Sequence, residues 1–271
     1  MIIANLTGGL GNQMFQYAFG RATAERNKTT LKLHFTNALL NTPREFELDL
    51  FNITASLATE DDLNKMNIMQ NPILNRVFYL LDERLGIQFN RHITTERVPY
   101  TYNDSYLQIP DNRYLQGYWS HSEYFEHIRD ILMKEFTPKK PLDEKNQKIV
   151  EQMRKSNSIS LHVRRGDYIT NKTGPTFVGI EYYKKTIKDM NNKVKNPYYF
   201  VFSDDITWCK ESLSSILPDV TFIDHNTARN SYKDLILMSN CKHNITANST
   251  FSWWAAWLNP NKNKIIISPN P

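Results

Sequence analysis

Five short apolar runs, Ile159–Val163, Tyr199–Phe202, Thr221–Ile223, Asn244–Ala247 and Lys264–Ile267, are separated by helical stretches near Glu181–Met190, Thr207–Ser215, Tyr232–Asn240 and Ser249–Leu258. Apolar strands that alternate with helices predict a parallel sheet covered on both faces, because parallel neighbours need a crossover that a helix fills. The start of the chain has the same grammar. Ile2–Leu6 is apolar and runs into Thr7-Gly8-Gly9-Leu10-Gly11. Phe15, Ala18, Phe19 and Ala22 then fall at helical spacing, and Leu31 and Leu33 suggest a second strand. Between these regions the patterns predict helices over Glu60–Met69 and Pro72–Leu85 and a strand over Tyr114–Trp119. Ser120 and Glu123 have capping-box spacing before a helix carrying Phe125, Ile128 and Leu132. Thr137-Pro138-Lys139-Lys140-Pro141 breaks the pattern and is the linker candidate. The expectation is two α/β units, residues 1–137 and 142–271, without an internal repeat.

Composition narrows the function. The chain has 271 residues, room for two such units, and 33 basic against 28 acidic residues give a mild +5. With no arginine-rich tract and no nucleic-acid motif, nucleic acid is not expected as a partner. No apolar run approaches the ~20 residues that span a bilayer. MIIANLTGG lacks the basic and apolar regions of a signal peptide, so a cytoplasmic chain is expected, with peripheral attachment to the inner face of the membrane left open. Cys209 and Cys241 are too few for a disulfide framework, and in a reducing compartment the sequons at Asn5 and Asn248 carry no glycan. Oligomeric state is not legible.

Parallel sheets bind ligands at the carboxyl ends of their strands. The residues there are Thr7–Gln13, His162–Tyr168, Ser203–Asp205, Asp224–His225 and Asn248–Ser252. In His162-Val163-Arg164-Arg165-Gly166-Asp167-Tyr168 the strand alternation sets Ser160, His162 and Arg164 on one face and Ile159, Leu161 and Val163 on the other. Arginine offers a planar fork of donors for phosphate oxygens. Arg164 and Arg165 are therefore candidate anion ligands; the plainer alternative is a surface pair bonded to Asp167. Asn248 or Ser249 can cap the next helix, and the amides around Ser249, Thr250 and Phe251 form a ready anion site. Trp253, Trp254 and Trp257 have helical spacing and read as core rather than as a sugar platform. Ser203-Asp204-Asp205 offers carboxylates for a helix cap, with Asp205 serving Thr207–Ser215, or for the N1–H and N2–H edge of guanine, and the two roles coexist if the carboxylates, which strand alternation turns opposite ways, divide them.

No Asp-x-Asp pair occurs, so no metal is expected. Gly9-x-Gly11 fails as a dinucleotide fingerprint because Met14 stands where Gly or Ala belongs and His34 where an acid belongs. A non-catalytic binder and an NAD oxidoreductase are the competing classes, the second disfavoured by those two residues. The loop still lets backbone approach a ligand, so Gly9, Gly11, Asn12 and Gln13 stay in the candidate binding set. Walker A, His-Glu-x-x-His and Gly-x-Ser-x-Gly patterns are missing, and neither cysteine has a local His partner.

GGLGNQMFQYA, GYW with YF over 117–125, HVRRGDY, FSDD and NSTFSWWAAWL together resemble the bacterial α-1,2-fucosyltransferases of glycosyltransferase family 11. The resemblance implies a GT-B-like fold of two Rossmann-like domains. It also implies GDP-fucose as donor, a terminal β-galactoside as acceptor, inversion at the fucose carbon, and no cofactor or metal. The first unit becomes the acceptor side and the second the donor side. It gives Arg164 the β-phosphate, Asp205 the guanine and Ser249–Phe251 the diphosphate, which leaves Asp204 for the helix cap. Asp167 and His162 are the candidate bases. The α-1,6 branch has a glutamate base a few residues beyond its HVRR-x-D, whereas Ile169-Thr170-Asn171-Lys172 contains no acid, so that role does not transfer. Family members usually continue beyond the point where this chain ends at Pro271, which leaves room for a truncated C-terminal edge.

Overall fold

The computed structural model describes residues 1–36, 44–68, 91–170, 176–217 and 219–269. Two compact units, Met1–Lys139 and Lys140–Pro271, divide the chain inside the Pro/Lys run. The first half of that run is tied to the first unit: Phe51 and Pro138 form an antiparallel bridge, and Lys139 N donates to Leu50 O at 2.9 Å.

The first unit runs β1 (Ile2–Leu6), α1 (Leu10–Arg26), β2 (Leu31–Phe35), β3 (Ser56–Leu57), α2 (Glu60–Lys65), β4 (Ile93–Thr95), β5 (Arg113–Gln116) and α3 (Arg129–Glu135). Its sheet is parallel throughout, in the order β3-β2-β1-β5-β4. β1 is central, and Ile2, Ile3, Ala4 and Leu6 are buried, as a strand covered on both faces requires. α1 crosses this strand closely because Gly20 has no Cβ; one placed there would lie 2.9 Å from the Ala4 Cβ.

The expected helix over Glu60–Met69 is shorter, Glu60–Lys65, closed at its start by a Thr59–Asp62 capping box. The expected helix Pro72–Leu85 lies outside the described residues. The expected strand Tyr114–Trp119 ends at Gln116, and the chain turns through Trp119, whose φ is +55°. The Ser120–Glu123 capping box does not form. Ser120 Oγ is buried without a partner, and two 3-10 turns, Ser122–Tyr124 and Glu126–Ile128, precede α3. Phe125, Ile128 and Leu132 are nevertheless buried as the spacing requires.

The second unit runs α4 (Glu144–Lys155), β6 (Asn157–Val163), α5 (Gly166–Thr170), α6 (Ile180–Lys193), β7 (Pro197–Ser203), α7 (Ile206–Leu213), β8 (Val220–Ile223), α8 (Tyr232–Asn240), β9 (His243–Ile245), α9 (Thr250–Leu258) and β10 (Ile266–Ile267). Its parallel sheet has the order β10-β9-β6-β7-β8. On one face Ile159, Leu161 and Val163 pack with Tyr183, Ile187 and Met190 of α6 and Cys209 and Leu213 of α7. On the other, polar Ser160 is satisfied by Asn244 Nδ2 at 2.7 Å, and Asn259 Nδ2 donates to Asn244 Oδ1 at 2.8 Å. Trp254 and Trp257 are buried as core, and Trp253 is partly covered. Among the described residues no helix is long and apolar enough to cross a membrane.

Candidate active site

β6 stops at Val163, and the next residues meet those that follow β7, its neighbour in register up to Val163–Ser203. Asp204 clamps the turn. Its Oδ1 accepts from Arg165 N at 2.9 Å, its Oδ2 accepts from Gly166 N at 3.1 Å, and Arg164 Nη1 pairs with Oδ2 at 3.2 Å. Glycine at position 166 lets this clamp close, because a Cβ there would lie 2.8 Å from Asp204 Oδ2 and push the carboxylate aside. Asp205 caps α7, with Oδ1 accepting from Trp208 N at 3.1 Å, while Oδ2 pairs with Arg165 Nη1. The Arg165 guanidinium lies over the rings of Phe177 and Trp208, 5.9 and 5.1 Å from their centroids. Arg164 lies over Tyr168 at 5.6 Å.

The arginines therefore pair with the carboxylates after β7, and the helix cap is Asp205, as the plainer reading of that segment has it, rather than Asp204. Strand alternation separates adjacent side chains only while the strand lasts, and β7 ends at Ser203. All four side chains are about a quarter exposed, at 27% for Arg164, 25% for Asp204, 26% for Arg165 and 28% for Asp205.

His162 is buried 5.8 Å from the Phe251 ring, and its Nδ1 has no partner. Burial, aided by the neighbouring Arg164 charge, lowers its pKa to about 3. A neutral imidazole so reluctant to protonate is a poor general base. The Asp167 side chain lies outside the described residues, as do Asn171 and Lys172.

Ser249 is the N-cap of α9 but makes no side-chain cap bond. Asn248 Nδ2 donates to Thr176 O at 2.8 Å, while its Oδ1 is buried without a partner. Tyr168 Oη donates to Asn248 O at 3.3 Å, linking the segment after β6 to the segment after β9. Asp224 is held by Lys210 at 3.0 Å, and His225 by Asn146, so both are engaged in local contacts.

The glycine loop belongs to the first unit. Gly8 has φ +79°, while Gly9 has ordinary extended geometry, and a Cβ on Gly9 would meet nothing within 4 Å. Gly11 and Asn12 lie in the first turn of α1. Gln13 is turned inward. It is fully buried, its Nε2 donating to Gly8 O at 3.0 Å and Glu45 O at 2.8 Å and its Oε1 accepting from Glu47 N at 3.0 Å.

Both cysteines are free and buried, and burial pushes the Cys209 thiol up to about 11, away from nucleophilic chemistry. Among the described residues no three His, Cys, Asp or Glu side chains are grouped to hold a metal ion.

The family model for glycosyl transferase family 11 matches residues 1–271. An alpha-1,2-colitosyltransferase of Escherichia coli is 35% identical over 281 aligned residues, covering 100% of this chain and 92% of the relative. Galactoside alpha-(1,2)-fucosyltransferase 2 of Rattus norvegicus is 28% identical, covering 95% of this chain and 67% of the relative. The crystal structure of NodZ alpha-1,6-fucosyltransferase soaked with GDP-fucose superposes with a TM-score of 0.54 at 14% identity, covering 96% of this chain and 92% of that one, a likeness of fold.

Proposed function

This chain belongs to glycosyl transferase family 11, and on that footing we propose that it is an inverting transferase that moves L-fucose from GDP-fucose to the 2-hydroxyl of a terminal β-galactoside. The observation that carries the reading is the pairing of Arg164 and Arg165 with Asp204 and Asp205 at the carboxyl ends of adjacent central strands. The second unit takes the donor and the first the acceptor. As GDP leaves, charge grows on the β-phosphate, and a guanidinium fork with the positive end of α9 meets it. Arg164 is the proposed phosphate ligand and Ser249–Phe251 the diphosphate cradle. Asp205 retains lone pairs on each oxygen for the guanine edge beside its cap and ion pair. With His162 held neutral, the acceptor proton goes to Asp167.

The test mixes purified protein, GDP-fucose and a β-galactoside panel (lactose, N-acetyllactosamine, Galβ1,3-GlcNAc and Galβ1,3-GalNAc) with mass detection. Turnover should persist in EDTA, since the sequence offers no Asp-x-Asp pair. Loss on chelation with recovery on added Mn²⁺ would overturn the metal-free mechanism. No product with any acceptor and no GDP binding would overturn the reading. The colitosyltransferase relative favours a second donor, GDP-colitose, and preference for it in a donor panel would assign that sugar instead.

A further inference from the structure

In the first unit, the segments that follow β4 and β5 build a surface outside the proposed donor site. Among the described residues, six large apolar or aromatic side chains stand out as exposed, and three of them are Val98, Tyr100 and Tyr102, at 61%, 59% and 37%. Tyr100 stacks on Tyr118, with ring centroids 5.7 Å apart and planes 12° from parallel. Val98 and Tyr102 also line a cavity of about 400 Å³, with Arg97, Thr101, Asn103, Asp104 and Tyr106.

This exposure is built rather than incidental. Tyr100 has φ +62°, a left-handed conformation that a bulky side chain rarely adopts and that packing must hold in place. His121 Nε2 hydrogen-bonds Tyr100 O at 3.1 Å, Arg97 N donates to Tyr106 Oη at 2.9 Å, and Asn103 N donates to Tyr124 Oη at 2.8 Å. Glu96 joins the two segments, its buried Oε2 accepting from Tyr118 N at 2.6 Å and Trp119 N at 3.2 Å. Gly117 permits that junction, since a Cβ there would lie 2.5 Å from the Glu96 Cβ. Exposed aromatic surface grouped within one short segment with polar side chains is a candidate binding surface.

We propose that this platform is a glycan-binding subsite for the acceptor sugars that follow the galactose being modified. The C–H faces of pyranose rings are apolar and pack on flat aromatic rings, while a guanidinium, a carboxylate and an amide at the rim exchange hydrogen bonds with hydroxyls. The site lies at the carboxyl end of the parallel sheet, where ligands bind, the end that also carries the glycine loop after β1. Gln16 ties that loop to this one, its Oε1 accepting from Thr7 N at 2.9 Å and its Nε2 donating to Gly117 O at 3.1 Å.

The inference rests on the transferase reading, so its test has a separate binding arm. Tyr100→Ala and Tyr118→Ala should raise KM for a galactose-terminated tetrasaccharide about ten-fold. They should leave KM and kcat for methyl β-galactoside, and GDP affinity, unchanged. Tyr118→Phe should behave like wild type, and thermal midpoints check folding. In the binding arm, the tetrasaccharide is titrated into the full chain by NMR without donor, and Tyr118→Ala should weaken it similarly. If no acceptor turns over but this binding is seen and lost in the variant, the transferase reading fails and the subsite stands. Unchanged tetrasaccharide KM and binding in both alanine variants would overturn the subsite. So would binding to phospholipid vesicles that the variants abolish, without oligosaccharide binding, since that would assign the surface to a membrane.

Discussion

The Asp205 carboxylate does two jobs, and substitution can separate them. Oδ1 caps α7 through Trp208 N, and Oδ2 pairs with Arg165. Alanine removes both, whereas asparagine keeps an acceptor for the cap and sets a neutral NH2 donor, in place of the charged acceptor, against Arg165. A lost N-cap costs about 1 kcal/mol, within a range of about 0.5–2. The ion pair is about a quarter exposed on each side, so screening limits it to about 1 kcal/mol. Asp205→Ala should therefore lower stability by about 2 kcal/mol and Asp205→Asn by about 1. Urea unfolding of the full chain followed by tryptophan fluorescence measures both. A double-mutant cycle of Asp205→Asn with Arg165→Met should return a coupling of about 1 kcal/mol. Equal losses for alanine and asparagine would refute the cap, and zero coupling would refute the pair. In the same variants, calorimetry with GDP, ADP and UDP tests base reading, and Asp205→Ala should erode the preference for GDP.

Arg164→Ala should weaken GDP binding by about 1.5–3 kcal/mol, the worth of a charge-assisted bond, with little rescue by lysine, whose ammonium lacks the fork; unchanged calorimetric affinity would remove Arg164 from the phosphate. Gly9→Ala should fold normally, because its φ of −79° suits alanine and a Cβ there meets nothing, yet it should lower turnover if the loop touches a ligand; wild-type kinetics would take the loop out of the site. Stability should depend on pH through buried His162 and partly buried Asp234. His162, held to about 3 in the folded chain, leaves the unfolded chain to bind the extra proton below about 6.5, so stability is full above that pH and falls as pH drops toward 3. Asp234, raised by burial from 3.8 to about 7, acts oppositely, and its contribution is lost as pH rises through that window. His162→Gln should flatten the first slope and Asp234→Asn the second in urea midpoints from pH 4 to 8, and slopes unaltered by both would refute the burial argument.

The sequence made legible what burial on both faces imposes. β1, β6 and β7 carry apolar runs long enough to announce central strands, and the helix expected at Tyr232–Asn240 has those bounds. β3 and β4 were hidden because two or three residues cannot show a period, and Ser56 and Leu57 are exposed on an edge. Helix α4 was hidden because its residues are mostly charged or amide-bearing, with Asn146, Val150 and Met153 buried. In the site, alternation within β6 separated His162 from the apolar face but could not reveal that His162 is itself covered. Gln13 stood in a polar, glycine-rich loop, the usual mark of ligand contact. Its use as a buried tie to residues 45–47 depends on a segment 32 positions away in sequence, which no local pattern encodes.

The adjacent arginines are not duplicates, and the carboxylates opposite them show why. Asp204 accepts two backbone N–H bonds besides its pair with Arg164, so it stays satisfied when that guanidinium turns away. Exchanging a partly exposed ion pair for a diphosphate forfeits about 1 kcal/mol, together with the contact of Arg164 over the Tyr168 ring, and gains two parallel charge-assisted bonds. Arg165 has more to lose, with two ring contacts against one for Arg164. Its guanidinium lies over Phe177 and Trp208, and its partner Asp205 also caps α7, so moving it would strip a cation of both its ring contacts and its counter-ion. The pair Arg164–Asp204 is therefore the exchangeable one and Arg165–Asp205 the fixed frame. In the proposed reaction Arg164 engages the leaving phosphate, while Arg165 holds the segment after β6 against α7 so that Arg164 meets it from one direction.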